Sequence, residues 1–359
     1  MGNNRTNKLV LLKPIETSFI LQWHITNKCE NRCLHCYIPH NLKNLDDSNK
    51  LTLNESKIIM DDLARFGEFF NIATRINFSG GNPLLREDFP DFMEYAKKKN
   101  IRTGILGNPF PLTKENLEML CKNELYRYQI SLEGLQNMHD SIRGKGNYEL
   151  SLEGIKKLSD CGIWVSIMTT ILKKNYQEIP ALCDLVHSRG AKHFDFARIV
   201  PIGEGKQMEN EQLTPKEFRN FLFTMYKKYE ELALRGARPS FFGKKDPLWN
   251  LMYRELGILD PLSKEEGVIS GCSIGKNSLC LDVDGTVYPC RRMPEPIGNI
   301  RQTSIKDLFL HSQKINEYRE FEKIDGCGEC DLMSVCRGCR AVAYGNTGNY
   351  FSKDPQCWK

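Results

Sequence analysis

The stretch best equipped for chemistry is Cys29-Glu30-Asn31-Arg32-Cys33-Leu34-His35-Cys36-Tyr37, where three cysteines stand three and then two residues apart. Three thiolates this close can converge on one metal centre, and soft sulfur ligands favour iron–sulfur clusters, zinc or copper(I). A [4Fe–4S] cluster usually takes four cysteines, so one held by three leaves an iron open to another ligand. A second concentration of thiols lies at the far end of the chain. Of 14 cysteines, Cys272, Cys280, Cys290, Cys327, Cys330, Cys336, Cys339 and Cys357 all fall in the last quarter. Clustered cysteines in a reducing compartment indicate metal binding or catalysis rather than disulfides. Cys121, Cys161 and Cys183 are scattered, and the burial habit of free cysteine reads them as structural core thiols.

Composition narrows the class. The chain has 359 residues, 40% hydrophobic and 26% charged, values of a globular protein with ample material for a core. Its net charge of +5 is spread along the chain and suggests neither a nucleic-acid stripe nor a membrane patch. No stretch approaches the roughly 20 apolar residues of a membrane span, and Met1 to Thr17 lacks the apolar centre of a secretory signal. Cytoplasmic localisation is therefore expected.

The elements that must position these cysteines follow from periodicity. The apolar run 19–23 precedes the first loop as a strand, and strands are read at 75–78, 102–106, 128–131, 164–170 and 193–196. Amphipathic helices at 54–67, 88–99, 113–122, 148–160 and 176–189 alternate with them. Such alternation implies a parallel sheet with right-handed crossovers, either doubly wound or an incomplete α/β barrel. Both architectures place ligands at the C-terminal ends of the strands. The cysteine loop after strand one, Gly80-Gly81 after strand two and Ser131 ending strand four all fall there. Residues 202–215 read as a linker, and 213–234 as a helix with an aromatic packing face. Residues 279–288 read as a hairpin turning at Asp284-Gly285.

The cysteine loop set on six βα units resembles the radical S-adenosylmethionine (radical SAM) superfamily, whose hallmark is Cys-x3-Cys-x2-Cys followed by an aromatic, here Tyr37. The resemblance implies a partial (β/α)6 barrel over 19–205. It implies a [4Fe–4S] cluster on Cys29, Cys33 and Cys36, with SAM chelating the open iron and yielding a 5′-deoxyadenosyl radical. Gly80-Gly81-Asn82-Pro83 matches the family's Gly-Gly-Glu-Pro turn, which approaches the amino group of SAM. Asn82 stands where the family has Glu, so an acceptor is kept but the charge is lost. Ser131-Leu132-Glu133-Gly134, with Arg143-Gly144-Lys145-Gly146, resembles a segment in which Ser131 contacts the SAM ribose or carboxylate and Arg143 pairs with the carboxylate.

The C-terminal cysteines resemble a SPASM domain, expected over 266–359 beyond an N-terminal extension (1–18), the barrel and a helical linker (206–265). The resemblance implies two auxiliary clusters, of [4Fe–4S] type. Cys272, Cys290 and Cys339, with Cys280 as fourth ligand, would hold one; Cys327, Cys330, Cys336 and Cys357 would hold the other. The third gap, Cys336-Arg337-Gly338-Cys339, is one residue shorter than usual and looks more like the pyrroloquinoline quinone and haem-modifying members. Zinc is the alternative on the residues alone, although zinc ribbons separate their pairs by about 15–20 residues and here the gap is five.

The resemblance implies modification of a ribosomally made peptide by hydrogen abstraction, such as crosslinking or epimerisation. A flavodoxin or ferredoxin would donate electrons. The runner-up is a cofactor-pathway enzyme of the pyrroloquinoline quinone or haem type, and the non-enzymatic reading is a zinc-binding protein. Arg291 follows Cys290 where formylglycine-forming members carry an Asp, which disfavours sulfatase maturation. About 18 residues precede the first strand, against the roughly 80–90 of a fused leader-binding domain, so a separate leader-binding protein or direct recognition is expected. Arg291, Arg292, Arg337 and Arg340 suit an acidic leader or carboxylated substrate, or are solvated surface charge.

Overall fold

The computed structural model describes residues 18–39, 49–259 and 267–359; apart from Ser18, the expected N-terminal extension lies outside them. Six strands alternate with helices: β1 (Ser18–Thr26), α1 (Leu53–Phe70), β2 (Ala73–Gly80), α2 (Phe89–Lys98), β3 (Arg102–Leu106), α3 (Lys114–Lys122), β4 (Arg127–Ser131), α4 (Gln136–Arg143), α5 (Asn147–Asp160), β5 (Trp164–Ile171), α6 (Ile179–Ser188) and β6 (His193–Arg198). They lie side by side in chain order, every pair parallel. A doubly wound sheet reverses its strand order at a switch point. This one does not, so the six units form the partial barrel.

Local chemistry sets the element ends. Thr52 and Glu55 form a capping box at the start of α1, and Asn71 closes that helix in the left-handed conformation. Alternation along the strands separates two faces. Trp23, facing Phe78 across the ladder, packs on Phe92 of α2 with ring centroids 5.6 Å apart. Gln22 and His24 therefore point the other way, opposite Asn77 and Ser79. The inner face of the barrel is polar, and its apolar core lies between sheet and helices.

The C-terminal part continues the same sheet. β7 (Ser278–Leu281) pairs in parallel with β1, Cys280 level with Gln22, and β8 (Thr286–Tyr288) and β9 (Gly298–Asn299) follow antiparallel. At the far side of the sheet, Phe194 of β6 bridges to Phe242. Between these parts α7 (Pro215–Leu234) and α8 (Trp249–Glu255) build an aromatic layer on β6, with Phe196 edge-on to Phe221 and tilted against Trp249, and Tyr229 stacked on Trp249. Short helices α9 (Ile305–His311), α10 (Gln313–Glu317) and α11 (Arg340–Thr347) complete the segment.

Three expectations are corrected. Cys183 is buried, but Cys121 and Cys161 are exposed, because each closes the end of a helix on the outer layer. The segment expected as a linker contains 3-10 turns (Gly203–Glu211) whose Glu204 and Gly205 amides donate to the Cys36 carbonyl. Arg337 and Arg340 are each 1% exposed and so are not surface charge. Arg337 donates to the carbonyls of Met333, Ser270 and Cys272, and Arg340 to those of Tyr350 and Ser352. Their role is to satisfy carbonyls in a segment with few regular elements.

Candidate active site at the barrel mouth

The cysteine loop is held from three directions. The β2 turn brings Gly81 N to Thr26 O and Asn82 N to Lys28 O, each at 2.8 Å. A side chain cannot fit there: a Cβ on Gly81 would lie 1.9 Å from the Lys28 carbonyl oxygen. From α4 and α5, Ile142 O accepts from Leu34 N, and Asn147 Oδ1 from Asn31 Nδ2. The 203–205 turn closes the third side. Pro83 opens the short turn Pro83–Leu85. Arg86 follows, donating to Ile25 O and Leu51 O at 2.7 Å.

The polar groups around the loop form two networks. In the first, Arg143 stands over the cysteines, with Nη1 3.6 Å from Cys33 Sγ and two nitrogens on Glu133 Oε1 at 2.8 and 2.6 Å. His35 Nε2 lies 2.9 Å from the same oxygen. Burial opposes ionisation of Glu133, yet His35 and Arg143 hold its carboxyl well below the usual carboxylate range. The Glu133 amide also donates to Nδ1 of buried His139, whose pKa is pushed down to about 4 by burial and then by Arg143. In the second network, Asn108 Nδ2 donates to Cys29 Sγ at 3.4 Å, and Glu30 accepts from Asn82.

Tyr37 points into the barrel rather than out of it. Its hydroxyl lies 3.0 Å from His24 Nε2, while Arg291 Nη2 lies 2.6 Å from His24 Nδ1 and Arg291 Nη1 2.9 Å from Asp282. Burial raises the Tyr37 pKa, and burial followed by Arg291 lowers that of His24. Ser131 ends β4 on the inner face, in register with Met168. All the sequence-expected SAM-side residues thus gather at one end of the barrel.

The C-terminal thiols separate into two neighbourhoods. Cys272 lies in the field of Cys339 and Cys290, and Cys280 in that of Cys290. Cys327, Cys330, Cys336 and Cys357 line one cavity. The short spacer makes this division: Arg337 and Gly338 both take positive φ, 61° and 59°, reversing the chain so that Cys336 and Cys339 face opposite groups. A Cβ on Gly338 would lie 2.5 Å from that of Asp354. Burial pushes the Cys280 thiol up to about 12, so any ligation there would have to draw off its proton.

The donor chemistry suits anionic clusters. A basic side chain stands on a sulfur of each group: Arg143 on Cys33, Arg292 on Cys339 at 3.9 Å, Lys359 on Cys330 at 3.5 Å. Among the described residues no three His, Cys, Asp or Glu side chains converge as a single metal ion would require. A single zinc, with bonds of about 2.3 Å to sulfur, draws its ligands closer together than a multi-iron cluster does. Glu30, His24, His35, Asn108 and Glu133 were not singled out from the sequence. The available signals were that Glu30 and His35 lie inside the cysteine loop and Glu133 inside the Ser131–Gly134 segment.

The radical SAM superfamily model matches residues 23–186, and the SPASM iron–sulfur cluster-binding domain matches residues 272–340. The chain thus carries the domain pair of a radical SAM/SPASM enzyme. Among curated relatives, an AdoMet-dependent heme synthase of Methanosarcina barkeri is 28% identical over 94% of this chain and 95% of its own. The mycofactocin maturase MftC of Mycolicibacterium smegmatis is 25% identical over 96% and 84%. Among solved structures, SuiB of Streptococcus suis bound to S-adenosylmethionine superimposes with a TM-score of 0.76, at 17% identity over 96% of this chain and 78% of that one. SuiB has also been solved with its precursor peptide SuiA. No helix among the described residues is long and apolar enough to cross a membrane.

Proposed function

We propose that this enzyme modifies a ribosomally synthesised peptide by hydrogen abstraction, and that the carboxylate-bearing part of the substrate enters the barrel mouth. The observation that carries the reading is the placement of Arg291. The β1–β7 pairing brings the residue after Cys290 into the barrel beside His24 and Tyr37, within one site with the cysteine loop. Lys245, enclosed but solvent-accessible, lies in the field of Asp195, Arg127 and Arg292. These cations outnumber the acids that face them and favour an anionic substrate. The likeness to MftC and SuiB supports a peptide.

In this reading Cys29, Cys33 and Cys36 hold a [4Fe–4S] cluster that, with SAM bound, supplies a 5′-deoxyadenosyl radical on one-electron reduction. Cys272, Cys280, Cys290 and Cys339 hold one auxiliary cluster, and Cys327, Cys330, Cys336 and Cys357 a second. Gly80, Gly81, Asn82, Pro83, Ser131, Arg143 and Tyr37 would line the site that holds SAM. A second reading, a porphyrin bearing carboxylate side chains, is favoured by the heme synthase relatives and suits the same cations.

The test is anaerobic reconstitution followed by reaction with SAM, reductant and substrate. About twelve irons per chain are expected if all three clusters are cubane. Replacing Cys29, Cys33 and Cys36 together by Ala should remove about four of them and abolish 5′-deoxyadenosine formation. A deuterated peptide encoded beside the gene should pass its label to 5′-deoxyadenosine. Label arriving only from a porphyrin would replace the peptide reading by the second one.

A further inference from the structure

The negative charge absent at Asn82 is present one residue into the cysteine loop. Asn82 is fully buried, and its Nδ2 donates to both oxygens of Glu30, at 2.9 and 3.2 Å, and to Asn108 O at 3.3 Å. Asn108 Nδ2 in turn donates to Glu30 Oε2 at 3.3 Å. These contacts fix the orientation of the Asn82 amide. Turned over, its oxygen would face a carboxylate and a carbonyl, both acceptors. In the orientation that satisfies the network, Oδ1 is buried and has no hydrogen-bond donor. A buried acceptor held without a donor is rare in folded chains.

We infer that Asn82 and Glu30 together form the ammonium subsite of the SAM pocket. Asn82 Oδ1 accepts from the methionyl ammonium of SAM, and Glu30, bound to the other end of the same amide, supplies the balancing charge. The inference rests on the assignment of this turn to the SAM site. It differs from the family pattern in dividing between two residues the work of one glutamate. The orphan oxygen supplies direction and the carboxylate behind it supplies attraction, which polarises the amide toward the cation. The Gly80-Gly81 turn makes the pairing geometrically possible, since it presses Asn82 N onto Lys28 O, two residues before Glu30.

The experiment is equilibrium dialysis of the anaerobically loaded enzyme against SAM, and against 5′-methylthioadenosine, which has no ammonium. Affinities are expressed per loaded first cluster, and iron content is measured on every variant. Glu30→Gln keeps size and hydrogen bonding but removes the charge. It should weaken SAM binding by about tenfold and leave 5′-methylthioadenosine binding unchanged. Glu30→Gln combined with Asn82→Glu, which returns the charge to the turn, should recover most of the affinity for SAM. Equal SAM affinity in Glu30→Gln and wild type overturns the inference. So does a parallel loss for both ligands, because that would mean Glu30 only shapes the loop. Wild-type enzyme that binds no SAM would instead refute the SAM-site assignment.

Discussion

Replacing Arg198 by Met should loosen the joint between the barrel and the C-terminal cysteines. Arg198 ends β6 and is 2% exposed. It donates to Asp246 at 2.7 and 3.2 Å, to Asp354 at 2.7 and 2.8 Å and to Gln356 at 2.9 Å. Asp354 Oδ2 also accepts from Cys339 N at 2.7 Å, and Gln356 Nε2 donates to Leu213 O. Methionine leaves two buried carboxylates facing each other. Removing one partner of a buried ion pair costs about 3–5 kcal/mol, against a typical total stability of about 5–15 kcal/mol. The variant should therefore unfold at clearly lower urea concentration. Its iron loss should fall on the auxiliary sites, because the released Asp354 steadies Cys339 directly. The pH dependence has a definite sign. Arg198 holds the Asp354 pKa down in the wild type, whereas in the variant burial raises it. The stability gap should thus narrow as pH falls. Urea titrations at two pH values with iron assays read all of this. A variant with wild-type midpoint and wild-type iron refutes the hub.

Other outcomes follow from particular contacts. Gly81→Ala drives a Cβ into the Lys28 carbonyl and should remove about four irons, those of the first cluster, while the auxiliary iron stays; iron assay and the spectrum of the reduced protein check this. His139 has a folded pKa near 4, pushed below the ordinary value of 6.5, so the unfolded chain binds more protons between those limits. Stability attributable to it is present above about pH 6.5 and lost as pH falls, by up to about 3 kcal/mol. His139→Gln should flatten that part of the stability curve measured by urea titration at pH 7 and 5.

The strands and most helices were legible because their apolar periodicity is strong: 102–106 and 164–170 were read from sequence almost to the residue. The short helices α4, α8 and α11 were missed, since seven or eight residues carry little periodic signal and each is fixed by tertiary contacts. Spacing marked the cysteine ligand candidates, because loop chemistry of that kind is written locally, while their division into two sets was implied only by the family resemblance. The partners of those cysteines were not. Asn108 and Glu133 reach the mouth from beyond the ends of β3 and β4, and only the side-by-side pairing of β1 to β4 brings them to the loop after β1. Arg337 and Arg340 misled for a related reason. A charged side chain reads as surface until the unpaired carbonyls it satisfies are known.

An incomplete barrel has a structural cost that a closed one escapes: two edge strands with unpaired N–H and C=O groups. Here β7 occupies one flank and the Phe194–Phe242 bridge guards the other. The cysteine-rich segment therefore works as a shield against edge-to-edge aggregation as well as a holder of thiols. A barrel expressed without it would expose Ile20 to Trp23 as a sticky template, so its insolubility would say nothing about whether the auxiliary thiols take part in the reaction.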